Sequence, residues 1–195
     1  MTATMPVDRT YTYADLRRWP ADVRWELIEG RAHAMTGPSW QHQAVVLGLG
    51  AQLRAHFREH GCHVLVAPFD VRLPRADEHD DAVDTVVQPD ISVICDARKL
   101  DARGCRGAPD LVVEILSPST AARDNLIKRA LYERHGVREY WLVHPLDRLV
   151  TIHRRTGSSF GGPEVLEASG TTTSAGFPGL EVDWDEVFAD VPRDP

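Results

Sequence analysis

Leu111-Val112-Val113-Glu114-Ile115-Leu116-Ser117-Pro118-Ser119 decides the reading of this chain. Its first six residues are apolar apart from one glutamate. A continuous apolar run of this length, rich in β-branched residues, is the pattern of a strand buried on both faces of a sheet. Ser117-Pro118-Ser119 then turns the chain. Glu114 is the anomaly. A carboxylate inside a buried strand is costly unless it is paired or holds a metal. With Val113 and Ile115 beside it, solvent exposure explains Glu114 only if it sits at the end of the strand.

Downstream, Ala121 to His135 has helix spacing, with Leu126, Ala130 and Leu131 turned inward and Gly136 as the stop. Glu139 to Val143 reads as another buried strand. Pro145 to Arg148 is a turn, and Leu149 to Arg154 returns as a hairpin. The remainder, to Pro195, reads as two short strands and a small helix near Asp185 to Phe188. It carries no functional motif.

Upstream, Gln88-Pro89-Asp90 leads into the apolar run Ile91 to Cys95. Strands are expected at His63 to Pro68, Asp70 to Leu73 and Thr85 to Val87. The acidic stretch from Arg75 to Asp84 between them reads as a solvated loop. From Trp40 to about His60, Val45, Leu49, Leu53 and Phe57 recur every four residues, which predicts a helix. Ser39 is placed to cap it and Gly61 to end it, while Gly48 and Gly50 suggest close packing onto a sheet. Tyr11 to Trp19 is a short helix stopped by Pro20. Arg24 to Ile28 and Arg31 to Met35 form a hairpin around Glu29-Gly30. This order predicts an α/β fold: a mixed sheet flanked by helices, with an N-terminal hairpin. It is read as a single domain over 1–195, with loose ends at 1–10 and 190–195.

The 195 residues are 43% hydrophobic and 26% charged, values of an ordinary globular chain that needs neither metal nor disulfide to fold. The net charge of −7 argues against a protein that grips long stretches of nucleic acid through a basic surface. Cys62, Cys95 and Cys105 are scattered and read as free thiols in a reducing compartment. No signal peptide or membrane span is evident, so a cytoplasmic location is expected.

The chemistry is carried by acidic residues in apolar company. If the strands holding Asp90 and Glu114 are neighbours, the two carboxylates can converge at one edge of the sheet. Such a pair suits Mg²⁺, which takes one or two carboxylates plus waters and phosphate, and Mn²⁺ can substitute. The Ile115 carbonyl would be a third ligand. A bound metal would activate water and polarise a phosphoryl oxygen. Lys128, on the following helix, is the candidate cation for the growing phosphate charge.

Pro89-Asp90 followed by Glu114 resembles the signature of the PD-(D/E)XK nuclease superfamily. More specifically, four segments resemble the Uma-type family of restriction-endonuclease-like proteins: Trp25-Glu26-Leu27-Ile28-Glu29-Gly30, Gln88 to Val93, Gly107 to Ser119, and Lys128 to Val143. The resemblance spans about Trp25 to Pro145, and Glu114-Ile115-Leu116-Ser117-Pro118-Ser119 is its most specific part. It implies a restriction-endonuclease-like fold with Asp90 and Glu114 as metal ligands, and nucleic acid, DNA first, as substrate. It also implies a homodimer. Leu116 stands where the superfamily lysine would be, and Lys128 would replace it. His42 also matches a family position and would help hold substrate or water.

Blander readings stand beside these. Glu114 can be one half of a buried ion pair with Arg123 or Lys128, and Asp90 a strand-start residue bonding its own loop. Lys128 can pair with Asp124, four residues earlier. Ser117 and Ser119 read as helix caps, Glu26 and Glu29 as hairpin residues, and His56, His60, Cys62 and His63 as a weak zinc pattern. The leading function is a metal-dependent endonuclease. The alternatives are a catalytically silent binding module on the same fold and a hydrolase of small phosphoesters.

Overall fold

The computed structural model describes residues 9–118 and 120–192. Helix α1 (Tyr13–Leu16) precedes the hairpin of β1 (Trp25–Ile28) and β2 (Arg31–Ala34). That hairpin turns through Glu29 and Gly30, both at positive φ, as a tight two-residue turn requires. Helix α2 (Trp40–Glu59) begins where Ser39 Oγ accepts the His42 amide at 3.2 Å. Then come β3 (His63–Val66), β4 (Val71–Arg72), β5 (Val86–Val87), β6 (Ile91–Ile94), β7 (Leu100–Asp101), β8 (Gly104–Arg106) and β9 (Leu111–Ile115). A π-helical stretch, Arg123–Lys128, runs into α3 (Arg129–His135), which Gly136 ends in the left-handed conformation. The chain continues through β10 (Glu139–His144), β11 (Leu149–Thr156), β12 (Ser159–Phe160), β13 (Glu164–Glu167), β14 (Thr171–Thr173), β15 (Glu181–Asp183) and α4 (Trp184–Val187).

The large mixed sheet runs β12-β11-β10-β9-β6-β3, with β13 beside β11. Strands β9 and β10 are parallel, so the chain must cross over between them, and α3 makes that crossing. A second sheet, β2-β1-β5-β4-β8-β7, carries the N-terminal hairpin. β9 is buried throughout. Leu111, Val113 and Ile115 pack with Val45, Leu49 and Phe57 of α2 and with Trp184 of α4. Val112 packs on the other face with Leu131 and Tyr132 of α3 and with Val71 and Val87 of the second sheet. The apolar run is continuous because each face has its own core.

Several local expectations change. Leu126 is 71% exposed and Ala130 is also exposed. The buried members of that segment are Asp124, Lys128, Leu131 and Tyr132. A π turn carries more residues per turn than an α turn, which rotates the charged positions inward, where they find partners. The acidic stretch 75–84 is anchored rather than merely solvated: Asp80 accepts two bonds from the buried Arg72 guanidinium, at 2.8 and 2.7 Å. The β7–β8 hairpin has no counterpart in the sequence reading, and the C-terminal part holds four strands rather than two.

The cysteine reading is corrected for two of the three residues. His63 pairs with Ile94 in the β3–β6 register, so Cys62 and Cys95 fall side by side and form a disulfide. Cys105 is free and buried. Gly48 faces the backbone of Val187 in α4 rather than a sheet, whereas Gly50 faces Val66 and Ile91. Of the ends expected to be loose, 1–8 and 193–195 lie outside the described residues, and Val191 is buried. Among the described residues, no helix is long and apolar enough to cross a membrane.

Candidate active site

Strands β6 and β9 are antiparallel neighbours, pairing Ile91 with Val113, Ser92 with Val112 and Val93 with Leu111. One residue beyond the last pair, Asp90 falls opposite Glu114. Opposed residues on antiparallel strands project to the same face. Asp90 does not bond its own loop through its side chain. Its Oδ2 accepts the Ile115 amide at 2.7 Å and lies 3.0 Å from His42 Nε2. The first turn of α2 and the end of β9 therefore hold it between them.

Glu114 is 4% exposed. Its Oε1 accepts Lys128 Nζ at 2.9 Å and the Tyr132 hydroxyl at 3.1 Å. Lys128 also donates to Glu26 Oε1 at 2.8 Å and lies 3.6 Å from Asp124 Oδ1. Glu26 in turn accepts the Gln88 amide at 2.8 Å. Lys128 and Tyr132 are four residues apart, one turn of helix, which aims both at Glu114. The pairings with Glu114 and Asp124 that the bland reading foresaw are both present, within a larger cluster.

The charges do not balance locally. Glu26, Glu114 and Asp124 face the one ammonium of Lys128, Asp90 lies beside Glu114, and Arg123 bears on Glu26 from the cavity wall. Burial raises the Glu114 pKa, and Asp124, Asp90 and Glu26 push it further up. Lys128 opposes them only in part, and the carboxyl ends well above its ordinary value. Asp124 is raised chiefly by burial. Burial works against the charged Lys128, but the three carboxylates outweigh it and hold the amine well above its ordinary range. Burial would likewise raise Glu26, but Lys128 and the Gln88 bond prevail and keep it low.

These residues line a cavity of about 600 Å³, bounded also by Met35, Ser117, Leu146 and Pro192. Among the described residues, no three His, Cys, Asp or Glu side chains form a ready metal cage. The donor set instead suits a hard cation that takes two carboxylates and draws its other ligands from water, main chain and substrate. Asp90 and Glu114 each engage one oxygen within the protein and keep a second. Zinc at Cys62 is excluded by the disulfide. His56 and His60 stack at 4.4 Å, with His60 Nδ1 bonded to the His56 carbonyl.

The structure brings together Asp90, Glu114, Lys128 and His42. It keeps Glu29 away, bonded to Arg134 at 2.7 Å. Ser117 Oγ contacts Thr120 Oγ1 at 3.0 Å, and Ser119 lies outside the described residues. Sequence reasoning missed Glu26 and underrated Asp124. The signal for Glu26 was available, since Trp25-Glu26-Leu27-Ile28 is an apolar strand broken by one glutamate, as at Glu114, and all four residues are buried. Asp124 gave no such signal, because its burial depends on the π turn.

A crystal structure described as a putative nuclease belonging to DUF820, from Anabaena variabilis, superposes with a TM-score of 0.70 at 19% identity. It covers 90% of this chain and 95% of that one, and at this identity it establishes the fold. A Synechocystis protein, the uncharacterized slr1290, is 28% identical over 118 residues. The match takes in 60% of this chain and spans 58% of the length of that relative. The family described as "Uma2: Putative restriction endonuclease" matches residues 13–185. The chain belongs to the Uma2 family.

Proposed function

We propose that this protein is a divalent-metal-dependent endonuclease that hydrolyses phosphodiester bonds in nucleic acid, DNA first. The observation that carries the reading is the opposition of Asp90 and Glu114 across β6 and β9, with Lys128 bonded to Glu114 inside one cavity. Family and fold support it. Asp90 and Glu114 would hold Mg²⁺ or Mn²⁺, which when bound supplies Lewis acidity and a more acidic water.

The chain's own residues divide the remaining work. His42 and the Ile115 amide fix the Asp90 carboxylate, leaving Oδ1 directed by two anchors on Oδ2. Tyr132 orients Glu114 in the same way. Lys128 has three N–H donors. Two are engaged by Glu26 and Glu114, and Asp124 at 3.6 Å is beyond hydrogen-bond length. The third would turn from Asp124 to a phosphate oxygen whose charge grows in the transition state.

Calorimetry with Mg²⁺ and Mn²⁺, paired with cleavage of plasmid DNA, tests this. The wild type should bind metal near neutral pH and cut, while Asp90→Ala and Glu114→Ala should lose both. Unchanged cleavage in purified Asp90→Ala or Glu114→Ala protein would overturn the reading. One observation favours a second reading, a silent binding module: three carboxylates already satisfy the Lys128 charge without a ligand. Such a module would ignore metal altogether.

A further inference from the structure

Most arginines near this fold's acidic groups are paired with them. Arg72 binds Asp80 and Asp101, Arg134 binds Glu29, and Arg154 binds Glu139. Arg24 and Arg123 differ. Both are half-buried and both line the cavity that holds Asp90 and Glu114. The side-chain partner of Arg24 is the Met35 sulfur at 3.8 Å, a weak acceptor. Arg123 forms no ion pair or hydrogen bond through its side chain among the described residues.

Their lack of carboxylate partners has a geometric cause. Glu26 and Glu114 turn toward Lys128, and Asp90 turns toward the Ile115 amide and His42. The nearby carboxylates are therefore engaged elsewhere. Arg24 precedes Glu26 by two residues, which places both on one face of the extended chain. Arg123 lies near enough to Glu26 and His33 to lower both their pKa values. Two guanidinium groups thus enter the cavity beside the acidic cluster. A guanidinium is a planar fork whose geometry matches a phosphate in two-point contact.

We propose that Arg24 and Arg123 are a phosphate clamp, gripping backbone phosphates of the substrate strand next to the one that lies at Asp90 and Glu114. The inference rests on the nuclease reading above and names the groups that would bind its substrate. Two cations make a short, sequence-independent grip, in keeping with a chain of net charge −7.

The test is fluorescence anisotropy with a short, labelled single-stranded DNA in Ca²⁺, over a range of salt, for wild type, Arg24→Gln and Arg123→Gln. Melting curves should match the wild type, since both side chains are partly exposed. Each substitution should weaken binding roughly tenfold, the scale of one charge-assisted contact. Each should also flatten the slope of log K against log salt by about 0.7. In cleavage, KM should rise more than kcat falls.

If the arginines only offset the carboxylates, the variants will bind metal more tightly and DNA unchanged, and the clamp is refuted while the metal site stands. A wild type that binds no DNA also refutes the clamp. If Mg²⁺ calorimetry is flat as well, the nuclease reading falls with it.

Discussion

Replacing Lys128 with methionine would remove the one ammonium in a cluster of four carboxylates while keeping most of the side chain's volume. The amine is 4% exposed, 2.8 Å from Glu26, 2.9 Å from Glu114 and 3.6 Å from Asp124. Breaking a buried pair by deleting one partner costs about 3–5 kcal/mol, because the remaining charge has no compensation. For a chain of this size, each kcal/mol lowers Tm by about 2–4 °C, so the variant should melt roughly 6–20 °C lower near neutral pH. The deficit should depend on pH with a definite sign. Glu114 has a raised pKa in the native state, so that state holds the proton more tightly than the unfolded chain does. Stability therefore falls as pH rises from the ordinary carboxylate range through the raised value. Without Lys128, Glu26 loses the attraction that keeps it low, and Glu114 and Asp124 rise further. The Tm gap between variant and wild type should be widest above neutrality and narrow as pH falls, closing only below the ordinary carboxylate range, because Lys128 keeps Glu26 charged in the wild type down to its lowered pKa. Circular dichroism melts of both proteins across this range would measure it. Equal Tm values near neutrality, or a gap that widens in acid, would refute the description of Lys128 as the charge that holds the cluster together.

Four further outcomes follow from other parts of the structure. His42→Ala should leave Asp90 on the Ile115 amide alone and weaken Mg²⁺ binding by about 10- to 100-fold, as loss of groups that orient metal ligands does; calorimetry reads this directly. Thiol titration of the denatured, unreduced protein should find Cys105 alone, and reduction should lower stability by about 3–4 kcal/mol for a loop closed across 33 residues. Three reactive thiols would show that the Cys62–Cys95 bond does not form. Gly176→Ala would drive a methyl group into a Glu139 carboxylate oxygen, in the network where Glu139 accepts from Arg154, Trp141 and Ser174; a loss of about 2–4 kcal/mol in chemical unfolding, with metal binding intact, is expected. Gly136→Ala, at the left-handed end of α3, should cost about 1 kcal/mol in the same assay.

The elements with strong periodicity were legible in the sequence. The α2 helix with its Ser39 cap, the β1–β2 hairpin and the double-sided burial of β9 all follow from local spacing. The Asp90–Glu114 pair was legible because a carboxylate in an apolar strand is conspicuous, though adjacency of the strands had to be assumed. What escaped depends on distant partners. Leu126 reads as inward by α-helical spacing, and only the π turn turns it out. Cys62 and Cys95 carry no local pairing signal, since it is the β3–β6 register that joins them. The weight of Glu26 depends on an ammonium 102 residues away. Asp80 looked solvated because its partner Arg72 lies in a strand whose two residues give no periodicity.

That long reach has a consequence for how the cavity comes into being. Its charged groups come from α2, β1, the approach to β6, the end of β9 and the helix beyond it. A chain growing from its N-terminus carries Glu26, Asp90 and Glu114 before Lys128 exists. Until then these like charges repel one another, with no ammonium to gather them. The wall of the cavity also takes in Leu146 and Pro192, so it is incomplete until the C-terminal part of the chain has been added. Whatever chemistry the cavity performs is therefore withheld from partial chains and arrives all at once, with the last of its contributors in place.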